Sequence, residues 1–374
     1  MLEAMLPYFT SEFGNPSSKA HVFGQEAANA VEEARAQVAL LIGAQPADIV
    51  FTSGATESDN LAVRGLARGL RSPGGHVVTT TLEHAAVLEP CGTLEREGFA
   101  ATRVGVDVSG IVQVADVEAA LREDTILVSV MAANNEIGTV QPVAEIGALC
   151  RARGIPFHTD AVQALGRLDV NVDAWGVDLL SLSAHKMYGP KGVGALYVRR
   201  DRHPRIRLRP QAEGGGQEKG LRSGTLNVPG IVGFGEAARL ARIALASGEP
   251  MRLASLRDQL LAGLAARIDG LQVNGSLDAR LPGNLHVSIP RVEAETLILS
   301  LGGGIALSSG AACAEAEGKG SHVLRALGLP DDRIYTALRF GLGRYNTGAE
   351  VDTVVERVAA AVESARGRSA TSSL

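Results

Sequence analysis

Ser183-Ala184-His185-Lys186 follows the apolar run 177–182 and sets an amine beside a hydroxyl and an imidazole, where a buried strand should end. The chain is rich in arginine and has only five lysines. An amine in a shielded place beside polar groups has its pKa lowered toward the partly unprotonated form that attacks a carbonyl to make a Schiff base. Taken alone, Lys186 could equally cap the end of its strand, the commoner role for a lysine there.

Other polar residues cluster at comparable places. His158-Thr159-Asp160-Ala161-Val162-Gln163 closes the strand-like segment 155–158. Asp160 can cap the next helix. Beside a pyridine ring, a buried carboxylate would instead keep the ring nitrogen protonated and let the ring act as an electron sink. Gln163, one turn on, could hydrogen-bond a ring hydroxyl, and Asn134-Asn135-Glu136 supplies another amide after the apolar run 125–131. His84, after a strand at about 76–82, could stack on a flat ring and move protons near neutral pH, or simply cap a helix. Ser53-Gly54-Ala55-Thr56-Glu57-Ser58 is a small turn entering a helix, suited to a phosphate. It lacks the Lys-Ser/Thr ending of a nucleotide triphosphate loop. Cys313 lies among small residues, 308–312 before it and Gly318-Lys319-Gly320 after it, where a thiol that accepts and passes on an atom needs a permissive loop. Cys91 and Cys150 sit in apolar helical patterns and read as buried filler. The three cysteines form no closely spaced metal-ligand pattern.

The elements that must position these groups alternate between strand and helix. Strands are expected at 48–52, 76–80, 125–131, 155–158, 177–182 and 194–198, with helices between most of them, including 56–69 and 143–153. The near-continuous apolar runs are those of buried parallel strands, and the alternation implies a mostly parallel sheet covered on both faces. Ligands of such sheets bind beyond the C-terminal strand ends, which is where the polar residues gather. After about residue 245 the pattern changes to a smaller α+β domain. It has helices at 252–268, 295–301 and 351–365, a period-two strand at 284–289 and a short strand at 305–308.

Length and composition agree with an ordinary globular protein of two domains: 374 residues, 45% hydrophobic, 21% charged. A net charge of −5 argues against a chain that coats nucleic acid or anionic membranes. No apolar run reaches membrane-spanning length, and Met1-Leu2-Glu3-Ala4 has no signal-peptide layout, so a cytoplasmic location is expected.

A lysine, a carboxylate, an amide, an imidazole and a phosphate turn on one strand-end face together describe a pyridoxal 5′-phosphate (PLP) site. The chain resembles the cysteine desulfurases of the NifS/IscS type, within the class-V aminotransferases. The matching segments run in order through nearly the whole chain: 14–18, 51–60, Glu83-His84, 134–138, 158–163, 183–192, 222–225, 308–313, 323–328 and 339–344. The resemblance implies a fold-type I PLP-dependent transferase. Its large PLP-binding domain, 1–245, would carry a mostly parallel seven-stranded sheet, and its small α+β domain, 246–374, would carry the Cys313 loop. It further implies that Lys186 holds PLP as a Schiff base and moves the substrate Cα proton. Asp160 would pair with the ring nitrogen, Gln163 and Asn135 would lie by the ring hydroxyl, and His84 would stack on the ring. Ala55, Thr56, Ser183 and His185 would hold the phosphate, with Thr225 reaching that of a neighbouring subunit in a homodimer. Asn135 and Arg339 would meet the substrate, the guanidinium fork matching its carboxylate. Cys313 would take sulfur from L-cysteine as a persulfide and leave L-alanine. The acceptor beyond it would be an iron–sulfur scaffold or a tRNA-thiolating enzyme, without direct contact to nucleic acid or membrane.

Two departures from the family pattern stand out. The extended segment with which the family begins has no counterpart ahead of the helix expected at 2–9: either the sequence starts downstream of the true start or the segment is absent, and its loss would remove backbone donors near the substrate. The loop after Cys313 is more acidic and richer in glycine than usual, although its length fits the long-loop class. The tail that some relatives use to grip a scaffold is also missing. Two other readings are a related PLP lyase or aminotransferase acting on another amino acid, such as selenocysteine, and a non-catalytic relative. A transaminase has no need of Cys313, and a silent fold has no need of Lys186, Asp160 and His84.

Overall fold

A computed structural model describes residues 1–70, 74–309 and 320–371. The chain divides into two compact units, Met1–Val104 with Val114–Ala133 and Gln141–Ser247, and Gly105–Gln113 with Asn134–Val140 and Gly248–Leu374. The second unit is therefore not the single stretch 246–374 expected from the sequence. It also takes two short excursions from the earlier chain, and one of them carries Asn135. The cause is local pairing: Thr139 bridges to Arg280, and the Val140 N–H donates to the Ala279 carbonyl.

The first unit is built on seven strands, β1 Ile49–Thr52, β2 His76–Thr80, β3 Ala100–Val104, β4 Thr125–Ser129, β5 Phe157–Asp160, β6 Leu179–Ser183 and β7 Gly194–Val198. Their order across the sheet is β1-β7-β6-β5-β4-β2-β3. All neighbours are parallel except β7, which runs antiparallel to both β6 and β1. A parallel return needs a crossover of a dozen or more residues. The link from Ser183 to Gly194 is shorter than that, so β7 must turn back beside β6. Lys186 lies in this link, in the short turn Ala184–Met187.

Strands β1, β2, β5, β6 and β7 are buried throughout, as a sheet covered on both faces requires. Val50, Leu61, Leu66, Val77, Leu127, Leu179 and Leu196 form part of one core cluster. The helix Ala55–Gly69 lies over β6 and β7. Gly194 permits that arrangement. A methyl group there would come within 2.5 Å of the Leu182 carbonyl oxygen and 2.7 Å of the Gly54 Cα, so the turn entering the helix sits directly against β7. Helices Val22–Leu41 and Val228–Ala246 also pack closely, with a methyl at Gly235 only 2.6 Å from the Ala34 Cα.

The second unit holds a three-stranded antiparallel sheet in the order β10-β9-β8, made of β8 Gln272–Val273, β9 Asn284–Ser288 and β10 Ala337–Gly341. Leu260, Leu264, Val287, Leu338, Val355 and Val358 fill its core, drawn from the sheet and from helices Glu249–Ala265 and Gly348–Thr371. The strand expected at 305–308 does not form. Ser308 makes only a single bridge, to Arg339 on the outer edge of β10.

Candidate active site

Strands β1, β2, β4, β5 and β6 point the same way, so their C-terminal ends share one edge of the first unit. Asp160 is the last residue of β5 and is 7% exposed. One carboxyl oxygen accepts the Val162 N–H at 2.9 Å, which bends the chain away from the sheet. Burial raises the Asp160 pKa above the ordinary carboxylate value, and the Val162 N–H, His84 and Lys186 offset that only in part. The structure thus brings the carboxylate, imidazole and amine into one electrostatic neighbourhood.

His84 stands at the N-cap of the helix Ala85–Arg96, and its Nδ1 accepts the Ala86 N–H at 3.1 Å. That bond fixes the tautomer: with Nδ1 as acceptor, the neutral ring carries its proton on Nε2. The capping and proton-carrying readings of His84 are therefore compatible. The preceding residue, Glu83, is fully buried and accepts from the Met131 N–H at 2.8 Å and the Thr80 hydroxyl at 3.0 Å. Burial, with Asp160 nearby, pushes Glu83 up to about 8.

Lys186 and His185 are exposed at the end of β6, whereas Ser183 is buried. The Ser183 hydroxyl and Nδ1 of His185 lie 2.8 Å apart. Burial and the charges of Lys186 and Lys191 lower the His185 pKa, which keeps the ring neutral near pH 7. Tyr188 takes a left-handed conformation, φ 65°, to close the turn. At the end of β1, Gly54 caps the helix that begins with Ala55 and Thr56, so the free N–H groups of its first turn face outward beside exposed Thr56. Glu57 braces this turn by accepting the Ser53 N–H at 2.7 Å and the Arg222 guanidinium at 3.0 Å. Thr225, three residues beyond Arg222, is exposed. Gln163 is half-buried, and its side-chain carbonyl accepts from Arg167 at 3.3 Å.

Asn135 and Arg339 belong to the second unit and meet there. Nη1 of Arg339 donates to the Asn135 carbonyl at 2.9 Å, and the Arg339 N–H donates to Ser308 at 2.8 Å. The intervening Glu136 is buried and accepts the hydroxyl of Ser321, the N-cap of helix His322–Ala326. Cys313 lies outside the described residues. Cys91 and Cys150 are both buried, and desolvation pushes each thiol up to about 12, the behaviour of inert filler.

Sequence reasoning missed the bracing pair Glu57–Arg222 and the Glu136–Ser321 contact. Both acids sit inside segments singled out for their neighbours, and only their burial in the fold shows what they hold. Among the described residues, no group of His, Cys, Asp and Glu is arranged to hold a metal ion. No described helix is long and apolar enough to cross a membrane.

Comparison with known proteins agrees with this geometry. The class-V aminotransferase family model matches residues 1–354. A cysteine desulfurase IscS of Anaeromyxobacter sp. (strain Fw109-5) is 56% identical over 366 residues, covering 98% of this chain and 90% of that protein. A mitochondrial cysteine desulfurase of Arabidopsis thaliana is 50% identical over 98% of this chain and 80% of its own. Among solved structures, a NifS-like protein superposes with a TM-score of 0.89 at 39% identity, covering 97% of this chain and 95% of that one. The chain belongs to the class-V aminotransferases, enzymes of PLP fold-type I, and within that family to the cysteine desulfurases.

Proposed function

We propose that this protein uses PLP bound through Lys186 to take sulfur from L-cysteine, places it on Cys313 and releases L-alanine. The observation that carries the reading is Asp160, buried at the end of β5 with His84 and Lys186 as its electrostatic neighbours. The residues present fit the cofactor. A buried carboxylate suits a protonated ring nitrogen, a helix N-terminus with Thr56 suits a phosphate, and an exposed lysine on a short turn suits a carbonyl. When bound, PLP supplies an electron sink that weakens bonds at the substrate Cα and Cβ.

Each residue then has a defined task. Ala55, Thr56, Ser183 and His185 hold the phosphate, and Thr225 serves that of a second subunit in a homodimer. Gln163 and Asn135 orient the ring hydroxyl. His84 presents a proton at Nε2, and Lys186, once released, moves the Cα proton. Arg339 takes the substrate carboxylate, with the Asn135 carbonyl fixing one edge of its fork. The Cys313 thiolate attacks the substrate sulfur, an S–S bond forms, and the C–S electron pair stays with the carbon skeleton, which is protonated to alanine. The persulfide then passes to an acceptor of iron–sulfur assembly or of tRNA or cofactor thiolation, in the cytoplasm. A structure of a related protein is described as SspA in complex with cysteine, which supports the substrate class.

The test is product release from L-cysteine in the presence of a reductant. Equal amounts of sulfide and alanine are expected, both lost in Cys313→Ala. Alanine released at the native rate by Cys313→Ala would sink the reading.

A further inference from the structure

The interior behind Asp160 holds more acid than the proposed reaction uses. Asp59, on the helix Ala55–Gly69, is 0% exposed, and neither carboxyl oxygen has a hydrogen bond of ordinary length and direction. Nε2 of His158 lies 3.6 Å from Oδ1 of Asp59, and the Ser181 hydroxyl is also close by. His158 is held between two hydroxyls, Ser129 at 2.8 Å on Nδ1 and Ser181 at 3.0 Å on Nε2. It is fully buried, and desolvation drives its pKa down to about 3, so it brings no countercharge. The remaining groups acting on Asp59 are Asp160 and Glu83, both acids.

A fully buried carboxylate ion with a neutral imidazole and two acids for neighbours is strongly disfavoured. Asp160 differs in having the Val162 N–H at 2.9 Å together with His84 and the Lys186 ammonium as neighbours. Burial raises all three acids of the cluster, and Asp160 is the one with cationic and N–H partners to offset it, the most favourable seat for negative charge. As a neutral acid, Asp59 has one O–H to donate, and Ser181 and His158 are the acceptors beside it. Ser181 is the residue of β6 that pairs with Asp160 of β5, so order at Ser181 bears directly on Asp160.

We propose that Asp59 is a positioning residue for Asp160: held as an un-ionised acid, it orders Ser181 and His158 and leaves Asp160 the one anionic carboxylate at the cofactor ring. This rests on the reading of Asp160 as partner of the ring nitrogen. In Asp59→Leu the donor is lost, the Asp160 anion is less well supported, and the bound cofactor holds its titrating proton less tightly. Asp59→Asn keeps both the shape and a neutral donor.

The experiment compares native holoenzyme with Asp59→Asn, Asp59→Leu, Glu83→Gln and Asp160→Asn by infrared and visible spectroscopy. At neutral pH the native protein should show the carbonyl stretch of a dry, protonated carboxylic acid that Asp59→Asn lacks, with Glu83→Gln marking the other buried acid. The pH midpoint of the visible cofactor band should fall by about half a unit or more in Asp59→Leu and return to native in Asp59→Asn. An unchanged acid stretch in Asp59→Asn, or a native midpoint in Asp59→Leu, overturns the proposal. A native band and midpoint in Asp160→Asn would instead remove the reading of Asp160 on which it stands. The infrared comparison alone decides whether Asp59 is neutral, should Asp59→Leu fail to fold.

Discussion

Arg35 and Glu218 form a two-pronged ion pair, with Nη1 and Nη2 of the guanidinium each 2.8 Å from a different carboxylate oxygen. Both side chains are buried, at 10% and 3% exposure. Glu218 also accepts the Phe51 N–H at 2.8 Å, and the guanidinium lies 4.7 Å above the Phe51 ring. The pair fastens the loop that leads to Arg222 and Thr225 onto strand β1. Glu218 keeps a left-handed backbone, φ 49°, to reach it.

Removing Glu218 leaves the buried Arg35 guanidinium with only the exposed Glu32 carboxylate and the Ile49 carbonyl, at a cost of up to about 3 kcal/mol. Glu218→Ala should therefore lower the thermal midpoint by several degrees and loosen the 218–225 loop. Thermal unfolding with limited proteolysis checks both. A midpoint within experimental error of native would show that the loop is held by other contacts.

His84 has two separable tasks, capping its helix through Nδ1 and carrying a proton on Nε2. Asparagine is a good N-cap with no titratable nitrogen. His84→Asn should keep native stability and lose activity by about 100-fold or more, the usual worth of a positioned proton carrier. His84→Ala should lose both, with about 1 kcal/mol of stability gone with the cap. Equal kcat in native and His84→Asn enzymes would leave the residue as a cap alone.

Glu83 gives the protein a pH signature. Its folded pKa of about 8 lies above the ordinary carboxylate value, so the folded state holds a proton that the unfolded state has released. Stability from this group is full below the unfolded pKa and declines as pH rises through about 8. His158 and His286, both pushed down to about 3, act in the opposite sense, but only below their unfolded value near 6.5. Between pH 6.5 and 8 the Glu83 contribution is therefore free of theirs. Urea unfolding of the apoprotein there should show a downward slope that Glu83→Gln reduces by one proton, about 1.4 kcal/mol per pH unit. Parallel slopes in the two proteins would place the Glu83 pKa outside this window.

Much of this arrangement was legible in the sequence because parallel strands announce themselves. Buried on both faces, β7 appears as an apolar run at 194–198 and β2 as a Val- and Thr-rich segment at 76–80, and their ends in the structure are the same. Polar residues at such ends have few places to go, so Lys186, Asp160 and His84 could be singled out from their positions. Segment 305–308 misled for a related reason: its residues suit a strand, but a strand also needs a continued ladder of hydrogen bonds, and here only one bridge forms.

The sequence by itself determined the fold class, the candidate reactive side chains and the family, because these depend on residue type, motif and short-range periodicity. Only the tertiary structure decided that Asn135 and Arg339 share one unit, that Nδ1 of His84 is committed to its helix, and that Asp59 lies buried beside His158 and Ser181. Each of these depends on what is brought close from far along the chain, and on how little water is left around it. Charge, tautomer and pKa answer to that environment, and residue type alone does not specify it.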